Sequence, residues 1–180
     1  MLTRRSWSRH CGPHPWCANA ALSADLCMNP DFVDFLAALL AVEARFLVVG
    51  AHALAVHGVP RATGDIDIWI DRSPANVALV WRAMVAFGVP ASALGVGPSD
   101  LETPETVIQI GLPPRRIDVL TDVTGLTFDS AWASRVLHRV DTIEVPFIGR
   151  DDLVRNKRAT GRYKDLGDLE SLGENPRDED

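Results

Sequence analysis

The chain has 180 residues, 47% of them hydrophobic, and a formal net charge of −6. This length and composition suit one small domain with its own core, while the negative charge argues against broad, non-specific capture of nucleic acid. No apolar run reaches the roughly 18–20 residues that span a bilayer, so we expect no membrane association. All three cysteines precede Met28 and cannot form a disulfide framework for the core, which favours a cytoplasmic location.

The N-terminal segment, residues 1–27, shows no helical or strand periodicity. Four of its side chains are potential zinc ligands, namely His10, Cys11, His14 and Cys17. Their tight spacing does not match the usual paired zinc knuckles. A regular helix start follows, with Asn29 as N-cap and Pro30 at the first helical position. We therefore expect the native chain to begin at Met28, and residues 1–27 to be a mis-called upstream extension or a disordered arm.

The first predicted elements are a helix, a short buried strand and a second short helix. The first helix carries an apolar stripe that consists of Phe32, Phe35, Leu36, Leu39 and Leu40. Residues 46–50 form the strand, and the helix over 51–57 ends at Gly58. Gly50 stands at the junction, where a glycine allows a sharp turn and leaves helical N–H groups free to meet an anion such as phosphate.

Residues 64–71, Gly-Asp-Ile-Asp-Ile-Trp-Ile-Asp, predict a strand that carries acid on one face. Alternation with period two places Asp65 and Asp67 on the same side, with isoleucines on the other. Two adjacent negative charges repel each other unless a cation lies between them. The pair therefore points to a divalent metal ion and to phosphate chemistry. Asp71 is expected to end the strand rather than to bind metal.

The remaining elements alternate between helices and strands. Ser73 and Pro74 begin a helix that ends near Phe87, and Gly, Pro and Ser mark residues 89–104 as a loop. Asp165 and Asp168 are expected on a solvated helix face. The further elements are strands at 106–110 and 116–120 in an antiparallel hairpin, a helix at 128–136, strands at 137–140 and 142–147, helices at 151–159 and 163–172, and a disordered acidic tail at 173–180.

The stretch VVGAHALAVHGVPRATGDIDIWID joins the glycine turn to the acidic strand, with thirteen residues between Ala51 and Asp65. It resembles the signature of the nucleotidyltransferase superfamily of the DNA polymerase beta type, and within it small bacterial abortive-infection and toxin–antitoxin nucleotidyltransferases. Such proteins carry a third acid on a later strand, which the resemblance assigns to Asp118. The likeness covers residues 28–172 and implies an α/β nucleotidyltransferase-like domain: a mixed β-sheet backed by helices, with C-terminal helices.

The resemblance implies a metal-dependent enzyme that moves a nucleoside monophosphate from a nucleoside triphosphate to a hydroxyl of RNA, protein or a small molecule. Asp65 and Asp67 are assigned to both ions of a two-metal site, and Asp118 to the ion nearer the acceptor, where it is also a candidate general base. Oxygen-only ligands favour Mg²⁺, with Mn²⁺ as a substitute.

The nucleotide-binding candidates form two groups, Gly50, Ala51 and His52 at the glycine turn, and the basic residues Arg61, Lys157 and Arg162. Ala51 departs from the family pattern, which has Gly or Ser there, and lacks a hydroxyl that could contact phosphate. Half-buried packing is the simpler interpretation for His52 and His57. Lys157 and Arg162 also suit the last turns of a helix, where they complement its dipole.

Two other functions remain open. The chain could be a non-catalytic binding partner, such as the antitoxin of a toxin–antitoxin pair, which Ala51 and the small size favour slightly. An antibiotic-modifying enzyme is a third possibility, although nothing in the chain marks an aminoglycoside pocket. Metal dependence separates the classes, since activity should vanish with Asp67→Ala whereas surface neutralisation of a cognate protein should survive it.

Overall fold

The computed structural model describes residues 28–90, 92, 95–112 and 115–176. Residues 1–27, with the expected extension or arm and its candidate zinc ligands, lie outside this part, as do residues 177–180. The elements in chain order are α1 (Pro30–Ala41), β1 (Phe46–Val49), α2 (Gly50–Val56), β2 (Asp65–Ile70), α3 (Pro74–Phe87), α4 (Pro98–Glu102), β3 (Val107–Leu112), β4 (Arg115–Leu120), α5 (Phe128–Ala133), β5 (Val136–Val140), β6 (Ile143–Phe147), α6 (Arg150–Thr160) and α7 (Tyr163–Ser171).

The strands form a six-stranded mixed sheet in the order β3-β4-β2-β1-β6-β5. Strand β2 pairs antiparallel with β1 and parallel with β4, and β1 pairs parallel with β6. The strand pairs β3–β4 and β5–β6 are antiparallel. The predicted fold class, a mixed sheet backed by helices and followed by C-terminal helices, is confirmed.

The core lies between the central strands and the helices that cover them. Every residue of β1 is buried, from Phe46 to Val49. Helices α1 and α3 pack against each other, and α3 lies against β2. The apolar stripe of α1 turns Phe35, Leu36 and Leu39 fully inwards, as its spacing predicted. This packing fixes β1 and β2, the strands that lead into the acidic cluster.

The structure corrects one local prediction. Residues 89–104 are not all loop, because they contain α4, whose first turn is closed by a hydrogen bond from the Gly97 N–H to the Asp100 carboxylate (2.7 Å) and whose Leu101 is fully buried. The expected disorder of the acidic tail, residues 173–180, stays a prediction. Glu174 forms ion pairs with Arg150 (2.7 Å) and Arg158 (3.2 Å), which fasten it to α6.

No helix within the described ranges is long and apolar enough to cross a membrane.

Candidate active site

Three aspartates meet where the parallel strands β2 and β4 run side by side. Asp65 and Asp67 are half-buried and alternate with fully buried isoleucines, so they share one face of β2, as the sequence predicted. The strand register places Asp118 of β4 directly opposite Asp67, and Arg116 opposite Asp65. Asp118 is buried. The three acids assigned from sequence therefore occupy neighbouring positions on two strands.

Gly50 closes one side of this cluster. It follows Val49, which pairs with Asp67 in the β1–β2 register, and its φ of +65° lies in the left-handed region. A Cβ at this position would overlap Oδ2 of Asp67. Glycine is thus required for two reasons, the backbone conformation and the space that the Asp67 carboxylate fills.

Asp67 is the carboxylate whose charge is least stabilised. Burial, together with the negative charges of Asp65 and Asp118, raises the pKa of Asp67 to about 6. The positive charges of Lys164 and Arg162 oppose this shift only in part. Within the described residues, no side chain donates a hydrogen bond to the Asp67 carboxylate. A desolvated acid with two acidic neighbours favours either a proton or a cation.

Asp65, by contrast, is held in its charged form. The Thr63 hydroxyl donates to Oδ1 of Asp65 (2.5 Å), and Arg116 lies beside the other oxygen. The hydrogen bond from Thr63, helped by the positive charge of Arg116, holds the pKa of Asp65 below its usual value against a partial burial that would raise it. Asp65 and Asp67, two residues apart on β2, thus have pKa values that are shifted in opposite directions.

Arg116 spans the cluster. Its Nε donates to Oδ1 of Asp118 (2.6 Å) and its Nη2 to Oδ2 of Asp118 (2.8 Å), a bidentate pair, while Nη2 also reaches Oδ2 of Asp65 (3.1 Å). These contacts raise the pKa of the guanidinium, with the hydrogen bond to Asp118 the main cause. Sequence reasoning gave Arg116 no role. Its position two residues before Asp118, hence on the same strand face, was the available signal.

The chemistry of the donor set fits a divalent cation. All three acids offer carboxylate oxygens, the ligands that Mg²⁺ prefers, and the unpaired, desolvated Asp67 would gain most from a cation. Across the described ranges, however, no three His, Cys, Asp or Glu side chains are arranged to hold a metal ion, and Arg116 takes up oxygens of two of the acids. The assignment of metal to Asp65, Asp67 and Asp118 stays a prediction.

The predicted basic residues belong to a buried ion network, formed by Arg61, Lys157, Arg162, Asp165 and Asp168. Lys157 is buried and donates to Asp165 (3.3 Å) and Asp168 (2.6 Å). Arg61 pairs with Asp168 (3.1 Å) and Arg162 with Asp165 (2.7 Å). The predicted solvated face for Asp165 and Asp168 is wrong, because α7 packs this side against α6, where Lys157 pairs with both acids.

The ion network orders the start of α7 near the acidic cluster. Lys157 has no exposed surface to offer a triphosphate, whereas the side chain of Arg162 is 60% exposed and that of Arg61 37%. The charge of Arg162 is felt at Asp67. So is that of Lys164, an exposed residue that also lowers the pKa of Asp65 and that sequence reasoning did not select. The position of Lys164, two residues after Arg162, was the only signal in the sequence for this role.

The residues after Gly50 serve mainly in packing. Ala51 is buried. His52 lies edge-on against Phe32, with ring centroids 5.9 Å apart, and burial lowers its pKa, which leaves it neutral near pH 7. His57 donates from Nε2 to the carbonyl oxygen of Ile148 (2.8 Å). Both histidines thus agree with the packing interpretation.

Asp71 lies outside the acidic cluster. It follows the last residue of β2 and pairs with Arg45 (2.9 Å), which also contacts Asp129 (2.7 Å). The Arg45 guanidinium further lies over the ring of Trp132, 5.2 Å from its centroid. This arrangement fits the expectation that Asp71 ends the strand.

No protein-family profile and no curated protein matches this chain. Among solved structures, the chain is similar to the crystal structure of a candidate nucleotidyltransferase from Thermotoga maritima, with 15% sequence identity and a TM-score of 0.48. The match covers 82% of this chain and 91% of that protein. At this identity and TM-score, the likeness does not define the activity of this chain.

Proposed function

We propose that this chain is a divalent-metal-dependent nucleotidyltransferase. It would move a nucleoside monophosphate from a nucleoside triphosphate to a hydroxyl group of RNA, protein or a small molecule. The observation that supports this most directly is the register of β2 and β4, which sets Asp118 opposite Asp67 while Asp65 shares the Asp67 face. Gly50 lies against Asp67, so the glycine and the acids of the sequence motif are neighbours in the fold.

In the reaction, the acceptor hydroxyl oxygen forms a bond to the α-phosphorus, and the bond from that phosphorus to the bridging oxygen breaks, which releases pyrophosphate. The hydroxyl proton must leave as the new bond forms. Asp65, Asp67 and Asp118 would hold Mg²⁺ or Mn²⁺, which when bound orients the phosphates, lowers the pKa of the hydroxyl and stabilises the charge of the leaving group.

The chain's own residues define what must change for catalysis. Asp118 is the proposed general base, but both of its oxygens accept hydrogen bonds from Arg116. We therefore expect Arg116 to move before Asp118 acts as a base. Asp67 needs to lose its proton to bind a cation, and its pKa of about 6 allows this at neutral pH.

Positive charge for the triphosphate would come from the start of α7. Arg162 and Lys164 are exposed, and the charges of both act on Asp67. The side chain of Arg61, which pairs with the buried Asp168, is also partly exposed. Lys157 is buried and pairs with two acids of α7, so we assign it a role in positioning this helix rather than in contacting phosphate. Gly50 is proposed to let the phosphates approach the backbone, with Ala51 and His52 behind it.

The direct test is transfer of label. The purified protein is incubated with each of the four α-labelled ribonucleoside triphosphates, Mg²⁺ or Mn²⁺, and total cellular RNA and protein. Asp67→Asn removes the charge without changing shape, and Asp34→Asn makes the same change at an exposed site on α1. Transfer by the wild type and by Asp34→Asn, lost in Asp67→Asn, would support the proposal and identify the nucleotide and the acceptor class.

The second candidate is a protein that keeps this fold but acts as a binding partner, such as an antitoxin. The specific observation in its favour is Arg116, which neutralises two of the three acids without any metal. Absence of transfer by the folded wild type, with capture of a cellular protein that Asp67→Asn still captures, would favour it. A place in a toxin–antitoxin or phage-defence system, with a cognate toxin or antitoxin as partner, is part of either proposal and rests on the resemblance alone.

A further inference from the structure

Arg116 occupies oxygens that the proposed function needs for a cation. Its guanidinium engages both oxygens of Asp118 and one of Asp65. Its side chain is one-quarter exposed, so it has a path to solvent. Asp67, the third acid, accepts no hydrogen bond from it. The guanidinium thus lies to one side of the cluster and satisfies two acids out of three.

A guanidinium and a divalent cation cannot share these oxygens without cost. Each bidentate guanidinium bond uses a lone pair that a metal ion would need, and the two positive charges repel at such short range. Once displaced, Arg116 still needs an anion, because its charge cannot be lost by deprotonation. Two divalent ions change the net charge of the three carboxylates from negative to positive, and the anion that then suits the site is the triphosphate, since planar guanidinium groups bind phosphate oxygens in pairs.

We propose that Arg116 is an exchangeable internal counter-ion, which holds Asp65 and Asp118 in the free protein and transfers to phosphate oxygens of the substrate when the cation binds. The inference rests on the proposed function and deepens it. Arg116 then has two opposite effects. It weakens binding of the cation alone, and it strengthens binding of the nucleotide in the presence of the cation. A purely structural ion pair would not produce both effects, because it would not strengthen the binding of the nucleotide.

The first experiment measures binding of Mn²⁺ alone, from the EPR signal of the free ion. The variants are Arg116→Gln and, as matched control, Arg115→Gln, which removes the same charge from the adjacent, exposed position on the other face of β4. Loss of three charge-assisted hydrogen bonds that compete with the ion should tighten Mn²⁺ binding at least about tenfold in Arg116→Gln. Arg115→Gln should bind as the wild type does.

The second experiment measures binding of fluorescent, non-hydrolysable analogues of the four ribonucleoside triphosphates at saturating Mg²⁺. Here Arg116→Gln should bind the preferred analogue roughly tenfold more weakly, because the phosphate partner is gone. Tighter Mn²⁺ with weaker nucleotide is the expected signature. Tighter Mn²⁺ with unchanged nucleotide affinity would overturn the transfer to phosphate.

Equal or weaker Mn²⁺ binding in Arg116→Gln, with the wild type binding measurably, would overturn the role of Arg116 and leave the proposed function standing. No Mn²⁺ binding by the wild type or by Arg116→Gln would contradict both. If Arg116→Gln does not fold, Arg116→Lys keeps the charge but loses the fork. The Arg116 Nε–H signal of the wild type, assigned by its loss in Arg116→Lys, should then exchange faster with water once Mg²⁺ is added. An unchanged rate in the presence of bound Mg²⁺ would contradict the proposal.

Discussion

Asp67 and Asp118 lie directly opposite each other on the parallel strands β2 and β4. Asp118 is neutralised by Arg116, whereas Asp67 has no such partner among the described residues and stands against Gly50. Because of this difference, loss of the Asp67 charge should stabilise the metal-free protein and weaken its binding of a metal ion.

We expect Asp67→Asn to stabilise the metal-free protein in a pH-dependent way. The pKa of Asp67 is raised from 3.8 to about 6 in the native state, so the native state gains from protonation at low pH and loses that gain as the pH rises through 6. A neutral side chain avoids the loss. The free energy of unfolding should therefore exceed that of the wild type by about 2–3 kcal/mol above pH 7, and the difference should shrink towards pH 4.

Urea unfolding in the presence of a chelator at pH 4.5, 6 and 8 measures this difference. Asp34→Asn, at an exposed site, should differ from the wild type by less than about 0.5 kcal/mol at each pH. A destabilised Asp67→Asn at pH 8 would mean that the charge of Asp67 is compensated in the free protein. Stabilisation also ensures that lost transfer activity in this variant is not due to unfolding.

Mg²⁺ should raise the melting temperature of the wild type, and more at pH 7.5 than at pH 5. A cation that binds only the native state stabilises it, but protonated Asp67 is a poor ligand, and its pKa of about 6 places that loss between the two pH values. Differential scanning fluorimetry with and without Mg²⁺ gives the shift. The same shift in Asp67→Asn as in the wild type would show that Asp67 does not bind the ion.

Gly50→Ala should cost more stability than Gly58→Ala, although both glycines have positive φ. Around Gly58 (φ +92°) an added Cβ meets nothing within 4 Å, so only the left-handed strain of roughly 1–2 kcal/mol applies. At Gly50 the Cβ also overlaps the Asp67 carboxylate. In the background of Asp67→Ala, the cost of Gly50→Ala should fall towards that of Gly58→Ala, because only the Cβ of residue 67, 3.3 Å from the added Cβ, remains in close contact. Urea unfolding of the four proteins in this cycle measures the cost. If Gly50→Ala cost the same in both backgrounds, the added Cβ would not clash with the Asp67 carboxylate.

Lys157→Met should destabilise the protein by about 3–5 kcal/mol, because it leaves two buried acids without their shared cation. Burial by itself raises the pKa of Asp165, and Arg162 and Lys157 together hold it below its usual value. Arg82→Met, at an exposed position of α3, is the control and should change the free energy of unfolding by less than about 0.5 kcal/mol. Equal effects of the two substitutions in urea unfolding would show that the ion network contributes nothing.

Periodicity in the sequence predicted most elements because local and tertiary preferences agree in them. Helix α3 runs from Pro74 to Phe87, as its cap, proline and glycine signals indicated. The acidic face of β2 follows from the period-two alternation alone. Asp118 was assigned by resemblance, and the strand register places it beside Asp67.

Many of the contacts that the sequence did not predict join different elements of the fold. Arg116 meets Asp65 only because β4 lies next to β2 in the sheet. Asp165 and Asp168 have the spacing of a solvated face, and they are buried only because α7 folds back on Lys157 of α6. No local pattern distinguishes a charged residue that faces water from one that faces a buried partner.

The parallel pairing of β2 with β4 has a kinetic consequence. The hairpins β3–β4 and β5–β6 close over short loops, whereas α3, α4 and β3 lie between β2 and β4 in the sequence. Pairings of long sequence separation bear the larger loop-closure entropy and form late. We therefore expect the acids to come together after the main folding barrier, so that the repulsion between them acts on the unfolding rate rather than on the folding rate. Relief of that repulsion should lengthen the lifetime of the folded chain while its folding rate stays the same.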